Sequence, residues 1–265
     1  MSAPRRRERV DRLLVERGLA ESRERAQAMI LAGSVFSGER RLEKAGEPVP
    51  VDAELRIKGD PLPYVGRGGL KMQGALDGFG IDPAGWTVLD VGASTGGFTD
   101  CLLQRGAARV IAVDVGRGQL HWKLRNDPRV ELHEGCNARL LEPGSIPGPV
   151  HLAVIDVSFI SLRLILPAVR AAARPRRWVL LVKPQFEVGR DEVERGGLVR
   201  DPDKHRRILR EILAAAREED LVPAGILPSP ITGATGNREF LLHLRVEGAR
   251  PSDEAVEGWL REAVP

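Results

Sequence analysis

The sequence predicts an α/β protein, a doubly wound sheet domain preceded by a small α+β module. Three observations carry that expectation. The runs Thr87 to Val91, Val110 to Asp114, Leu152 to Asp156 and Trp178 to Lys183 are almost continuously apolar, as strands covered on both faces are. Helical stretches separate them, which is the alternation of a layered α/β domain. The first sixty residues instead interleave short helical and extended pieces with glycine, and Gly59 to Gly66 then interrupts every periodicity with proline and glycine. The expected boundaries are a module over 1–60, a linker over 61–67 and a large domain over 68–265.

At 265 residues with 42% hydrophobic side chains the chain can bury a sizeable core. Its formal charge of +3 tolerates an RNA partner without demanding one. Cys101 and Cys136 supply neither a disulfide framework nor a metal cluster, and no metal is expected. No apolar run approaches the roughly 18 residues of a membrane span, and Arg5 to Arg9 lead into alternating charge instead of a signal core. The expectation is a cytoplasmic protein without a membrane partner. Lysine occurs only at Lys44, Lys58, Lys71, Lys123, Lys183 and Lys204, while arginine fills the generic cationic positions. Lys71 and Lys183 are therefore informative, because a lysine offers the titratable amine that arginine lacks.

In the amino-terminal module, Val10, Leu13 and Leu14 share a helical face that stops near Gly18. Ser22 can cap a second helix whose Ala26, Met29 and Ile30 face a core before Gly33 ends it. Extended pieces follow at Val35-Phe36, Val49 to Val51 and Leu55 to Ile57. So small a module has a thin core, and it turns Arg12, Arg17, Arg23 and Arg25 toward solvent among Glu16, Glu21 and Glu24. The pattern from Arg9 to Arg23 and on through Gly33-Ser34-Val35 resembles the S4 RNA-binding domain, over roughly residues 8 to 58. Phe36-Ser37-Gly38 departs from the valine-asparagine-glycine turn common in that family. The resemblance implies that these four arginines, with Arg67 at the end of the linker, contact RNA.

The first strand of the large domain runs into Asp90-Val91-Gly92-Ala93-Ser94-Thr95-Gly96-Gly97-Phe98. Small residues there let backbone approach a ligand before a helix starts, yet the spacing is not the G-x-G-x-x-G of a dinucleotide reader. The loop resembles the acidic-plus-glycine loop of class I S-adenosylmethionine methyltransferases. That resemblance implies S-adenosylmethionine as cofactor, near Asp90, Gly92, Ser94, Thr95, Gly96 and Gly97. Asp114, closing the second strand, is placed to accept hydrogen bonds from both hydroxyls of a ribose. Asn137, after an apparent strand at Val130 to His133, is either a neighbour of the adenine or a turn former. His121 and His133 show no nucleophile or metal spacing.

Four charged residues stand beside glycines or strand ends: Lys71 in Gly68-Gly69-Leu70-Lys71, Asp156 in Asp156 to Leu162, Lys183 in Lys183 to Glu187, and Glu239 in Gly236 to Phe240. Their order, Lys, Asp, Lys, Glu, resembles the catalytic tetrad of FtsJ-like ribose methyltransferases, and the motifs around them resemble the TlyA family along essentially the whole chain. The resemblance implies a class I Rossmann-like methyltransferase domain behind an S4 domain. It also implies methylation of the cytidine 2′-oxygen in ribosomal RNA of the 30S or 50S subunit, and the protein is expected to act as a monomer. Methyl transfer from a sulfonium is an in-line displacement, so the protein must align three atoms and manage one proton. A ribose hydroxyl is a poor nucleophile, and a lysine can take its proton or stabilise the forming oxyanion, with Asp156 and Glu239 orienting the amines. Ser158 and Ser161 are expected to shape their loop. Family members also carry a hemolysin label, but the sequence has no amphipathic membrane segment of adequate length to support one. Two alternatives stay open, another RNA acceptor and a non-catalytic ribosome-assembly factor.

Overall fold

The structure, a computed structural model, describes residues 6–20, 22–31, 33–58 and 62–265. Glu21, the last two residues of the expected module, Gly59 and Asp60, and the first of the expected linker, Pro61, lie outside the described residues. The chain divides into two compact units, Met1–Arg67 and Gly68–Pro265.

In the first unit, β1 (Arg7–Arg9), α1 (Val10–Glu16) and α2 (Arg23–Leu31) precede β2 (Val35–Ser37), β3 (Arg40–Arg41), β4 (Pro48–Pro50) and β5 (Leu55–Ile57). β2 lies between β3 and β5, while β1 pairs with β4. The Ser22 hydroxyl accepts the Arg25 amide at 3.1 Å, capping α2, and Gly33 ends that helix at φ +75°. Val10, Leu13, Leu14, Ala26, Met29 and Ile30 meet Val35, Leu42, Val49 and Leu55 in one small core. β1 and β3 are additions to the sequence reading, because strands so short and polar carry no periodicity.

The polar centre of this unit is Asp11, which is fully buried. Its carboxylate accepts Arg9 at 2.9 and 2.8 Å, Arg23 at 3.1 Å and Gln27 at 3.0 Å. Those donors, led by the Arg9 guanidinium, hold the carboxyl far below its usual range. The same contacts tie α1 to α2.

The second unit begins with α3 (Gly68–Phe79), β6 (Thr87–Val91), α4 (Gly97–Gln104), β7 (Arg109–Asp114), α5 (Trp122–Arg125) and β8 (Val130–Glu134). It continues through β9 (Leu152–Ile155), α6 (Leu166–Ala173), β10 (Arg177–Val182), α7 (Pro184–Glu187), α8 (Pro202–Glu218), β11 (Val222–Pro228), β12 (Phe240–Arg245) and α9 (Asp253–Ala263). The strands form one seven-stranded sheet in the order β11-β12-β10-β9-β6-β7-β8. β12 runs antiparallel to both of its neighbours.

Alternation along each strand sends side chains to opposite faces. Leu89, Val91, Ile111, Val113, Ile155 and Leu180 join the residues of α6, α8 and α9 in one core, where Leu260 is buried and Trp259 packs at the margin. Asp201 and Ser252 cap α8 and α9 through the amides of Asp203 and Ala255. The other face receives α3 and α4: Asp90 meets Thr99 of α4, and His243 meets Phe79 of α3. All the parallel strands therefore end on one side of the sheet, and their next residues are Gly92, Val115, Gly135, Asp156 and Lys183.

Replacing Asp11 by alanine leaves two guanidinium groups without their buried acceptor and should cost about 2–3 kcal/mol. The expected outcome is faster hydrogen exchange through α1 and α2 at neutral pH. Because the folded carboxyl titrates below the unfolded one, its contribution is complete above about pH 4 and is lost as pH falls from there. The difference between wild type and variant should shrink accordingly in acid.

Candidate active site

The glycine loop after β6 is shaped by what lies behind it. Gly92 has φ +87°, and a Cβ there would collide with the carbonyl oxygen of Asp156. Gly96 has φ +97°, and its Cβ would run into Leu120 and Leu124. At Gly97 a Cβ would stand 2.9 Å from the amide nitrogen of Gly69, so the starts of α3 and α4 can touch only without a side chain. Ser94 is also left-handed, at φ +50°.

A cavity of about 310 Å³ opens at these strand ends. Gly92, Ser94, Asp114 and Asn137 line it, joined by Val115, Gln119, Cys136 and the segment from Asp156 to Ile160. Asp114 accepts the Ser94 amide at 2.7 Å on one oxygen and the Gly116 amide at 2.6 Å on the other. Each oxygen keeps a lone pair for a hydroxyl. Asn137 serves as a turn former, accepting the Arg139 amide at 3.1 Å, while still facing the cavity.

Asp90, Thr95, Gly96 and Gly97 are not among the lining residues. Asp90 points to the opposite face from Val91, where it is fully buried and accepts the Thr99 hydroxyl at 2.6 Å. Its second oxygen has no hydrogen-bond partner. Burial, with Asp156 and Asp114 adding repulsion, pushes this carboxyl up to about 7. The Asp90 carboxyl therefore faces α4 and not the cavity, while Gly96 and Gly97 stand at the start of that helix.

The four charged residues form two ion pairs. Lys71, in the first turn of α3, reaches Glu239 at 2.5 Å, and both side chains are almost completely buried. Lys183 pairs with Asp156 and donates to the Ser158 hydroxyl at 3.0 Å. Neither lysine is a solvated surface charge, since only 11% of each side chain is exposed. The reversed direction of β12 explains the meeting. Its first residue, Phe240, pairs with Val182 at the end of β10, so Glu239 and Lys183 leave the sheet at the same edge.

Buried neighbours to which the sequence assigns no role of their own hold the loops. Asn237 accepts the Val199 amide at 2.9 Å and donates to the Gly197 carbonyl at 2.7 Å, which fixes the approach to Glu239. Glu187 binds the loop after β9 from below. His205 donates its Nε2–H to the Val199 carbonyl at 2.8 Å, and burial lowers its pKa. No periodicity distinguishes these groups, because each partner is distant in sequence.

Residues 64–246 match the family of FtsJ-like methyltransferases, and residues 8–55 match the S4 domain. The chain belongs to the FtsJ-like methyltransferase family. This FtsJ-like chain is 47% identical over 262 residues to the "16S/23S rRNA (cytidine-2'-O)-methyltransferase TlyA" of Mycobacterium tuberculosis, covering 98% of both chains. It is 38% identical to "Hemolysin A" of Brachyspira hyodysenteriae, over 89% of this chain and 98% of that one. A solved structure from Streptococcus thermophilus, provisionally described as a hemolysin, superposes with TM-score 0.75 at 42% identity, covering 98% of this chain and 96% of that one. Among the described residues no helix of the FtsJ-like chain is long and apolar enough to cross a membrane.

The amino-terminal arginines divide by what their guanidinium groups hold. Arg17 donates to the carbonyls of Ala53 and Val51, and Arg25 to the carbonyl of Leu62 at 2.9 Å. These two brace the fold of their own unit. Arg23 leans on Asp11, and Arg12 stands 3.7 Å from Glu8. Arg67 directly precedes α3 and is half-buried.

Because the folded Asp90 carboxyl stays protonated to higher pH than the unfolded one, its burial costs nothing below about pH 4. The penalty grows from there until both states are ionised above about 7. Asp90→Asn should therefore gain stability relative to wild type across that interval, by up to about 4 kcal/mol. Thermal unfolding of both proteins between pH 4 and 8 checks this; parallel curves would place the ionisation elsewhere.

Proposed function

We propose that this chain transfers a methyl group from S-adenosylmethionine to the 2′-oxygen of cytidine in ribosomal RNA, in the cytoplasm and as a monomer. The observation that carries the reading is the meeting of the Lys71–Glu239 and Lys183–Asp156 pairs at the carboxyl ends of a methyltransferase sheet. The printed activity of the Mycobacterium relative, which matches over nearly the full length, supports the same acceptor.

The residues present suit the cofactor. Gly92 and Gly96 let the loop fold closely against the Asp156 carbonyl and against Leu120 and Leu124 beside the cavity, and Asp114 retains acceptor capacity toward a ribose diol. Ser94, Asn137 and the backbone around Gly92 complete its cradle, with Thr95 and Gly97 shaping the turn and Asp90 supporting it. S-adenosylmethionine, when bound, supplies an electrophilic methyl on a sulfonium sulfur. The chain then has to hold an acceptor hydroxyl in line and manage its proton. Lys183, steadied by Asp156 and Ser158, offers a cation or an amine to that oxygen, and Lys71 adds a second cation. Their two carboxylate partners keep the buried cluster close to electroneutral.

Residues 1–60 serve in this reading as the S4 module that delivers the ribosomal subunit, with the large domain starting at Gly68. Phosphate contact rests in this reading on Arg12, Arg23 and Arg67 together with Arg17 and Arg25. Arg17 and Arg25 contribute the donors not spent on carbonyls, since each guanidinium carries five.

The deciding experiment offers labelled S-adenosylmethionine with unmethylated 30S and 50S subunits, followed by digestion to nucleosides. Label in 2′-O-methylcytidine is the expected result; label in another nucleoside, or none from a protein that binds the cofactor, would reject the reading. Lys183→Ala should lower kcat by roughly 10²–10⁴-fold while cofactor affinity stays unchanged.

A further inference from the structure

Glu187 is a buried carboxylate that neither lines the cavity nor belongs to either lysine pair. It ends α7, the single helical turn that Pro184 starts directly after Lys183. One oxygen accepts the Leu162 amide at 2.8 Å, and the other accepts the Ser161 hydroxyl at 2.6 Å. Ser161 in turn accepts the backbone amide and the guanidinium Nε of Arg163, both at 3.2 Å. The same guanidinium donates to the Glu187 carbonyl at 3.3 Å and stands 3.9 Å from its carboxylate. Burial is the main influence on this carboxyl and raises its pKa, against the two donors.

The segment tied down in this way, residues 156–162, carries both partners of the Lys183 amine. Asp156 opens it and Ser158 follows two residues later. Residues 157–160 also wall the cavity. Within it Phe159 takes φ +65°, a left-handed backbone that a bulky side chain adopts only when its surroundings impose it. The Phe159 ring rests 5.0 Å from that of Phe186, again on α7. Lys183 and its partners thus come from two separate loops, and Glu187 is the buried bridge between those loops.

We propose that Glu187 is a positioning residue for methyl transfer, locking the 156–162 segment onto α7 so that Lys183 keeps both Asp156 and Ser158. The proposal rests on the methyltransferase reading above. It acts through geometry, and displacement of a reacting group by about 1 Å is enough to cost on the order of 10²-fold in rate.

The test compares full-length Glu187→Ala, Glu187→Gln and Ser161→Ala with wild type, in methyl transfer to 30S and 50S subunits and in hydrogen exchange of the native protein. Glutamine keeps an acceptor for Leu162, and its NH2 can donate to Ser161 in place of the Arg163 Nε, so the bridge survives without the charge. The expected result is a loss in kcat of about 30- to 100-fold for alanine and a several-fold loss for Ser161→Ala. The KM for the subunit should stay within about threefold, and glutamine should restore kcat to within about threefold of wild type. Exchange at Leu162 and through 157–161 should quicken in the alanine variant and not in the glutamine variant. Unchanged kcat in alanine, or equal losses in alanine and glutamine, would overturn the proposal. If Glu187→Ala does not fold, Glu187→Gln and Ser161→Ala decide in the same way. The exchange arm needs no acceptor, so a wild type that methylates neither subunit would sink the functional reading while the bridge is still judged.

Discussion

The direction of β12 is the constraint on which the site depends. A strand inserted antiparallel between β10 and β11 begins where its neighbours end, so the residue before it emerges beside the residue after β10. Glu239 is delivered in this way to the edge that already carries Lys183, Asp156 and the glycine loop. Had β12 run parallel, the same glutamate would stand at the far edge, and Lys71 would be left buried without a counter-ion. A buried ammonium in that position is costly, which makes the strand direction and the ion pair mutually dependent.

Close backbone approach is the second requirement. Gly97 lets α4 touch the start of α3, which carries Lys71 into the sheet edge. Gly92 lies against the Asp156 carbonyl, so the glycine loop and the loop that Asp156 opens share a wall. Below them, Asp90, Glu187 and Asn237 spend buried polar groups on loops, not on the cavity itself. Glu187 and Asn237 are tolerated because both of their polar atoms are hydrogen-bonded, and Asp90 because it accepts Thr99 and burial favours its neutral form. They hold several segments of a pocket whose lining comes from the ends of four strands.

In the first unit the same economy appears on a smaller scale. One buried carboxylate, Asp11, gathers two guanidinium groups and an amide, and two further arginines close onto backbone carbonyls. A module with so thin a core gains order from polar contacts that a larger domain would obtain from packing. The arginines that look alike along the chain therefore serve different ends, and what each one faces separates them.

Much of this was open to reading in the sequence. Apolar runs that stop at Asp114, Asp156 and Lys183 mark strand ends, because a charge is least costly where a covered strand emerges from the sheet. Ser22 and Gly33 bracket a helix through local capping and backbone freedom, and the order of Lys71, Asp156, Lys183 and Glu239 points to the family. Tertiary structure alone decided that Lys71 takes Glu239 and Lys183 takes Asp156, that Asp90 turns away from the cavity, and that Arg17 and Arg25 brace the backbone. Asp11, Glu187 and Asn237 belong with these. Capping and periodicity act between residues a few positions apart, whereas Lys71 and Glu239 are 168 positions apart and meet only after the sheet has assembled.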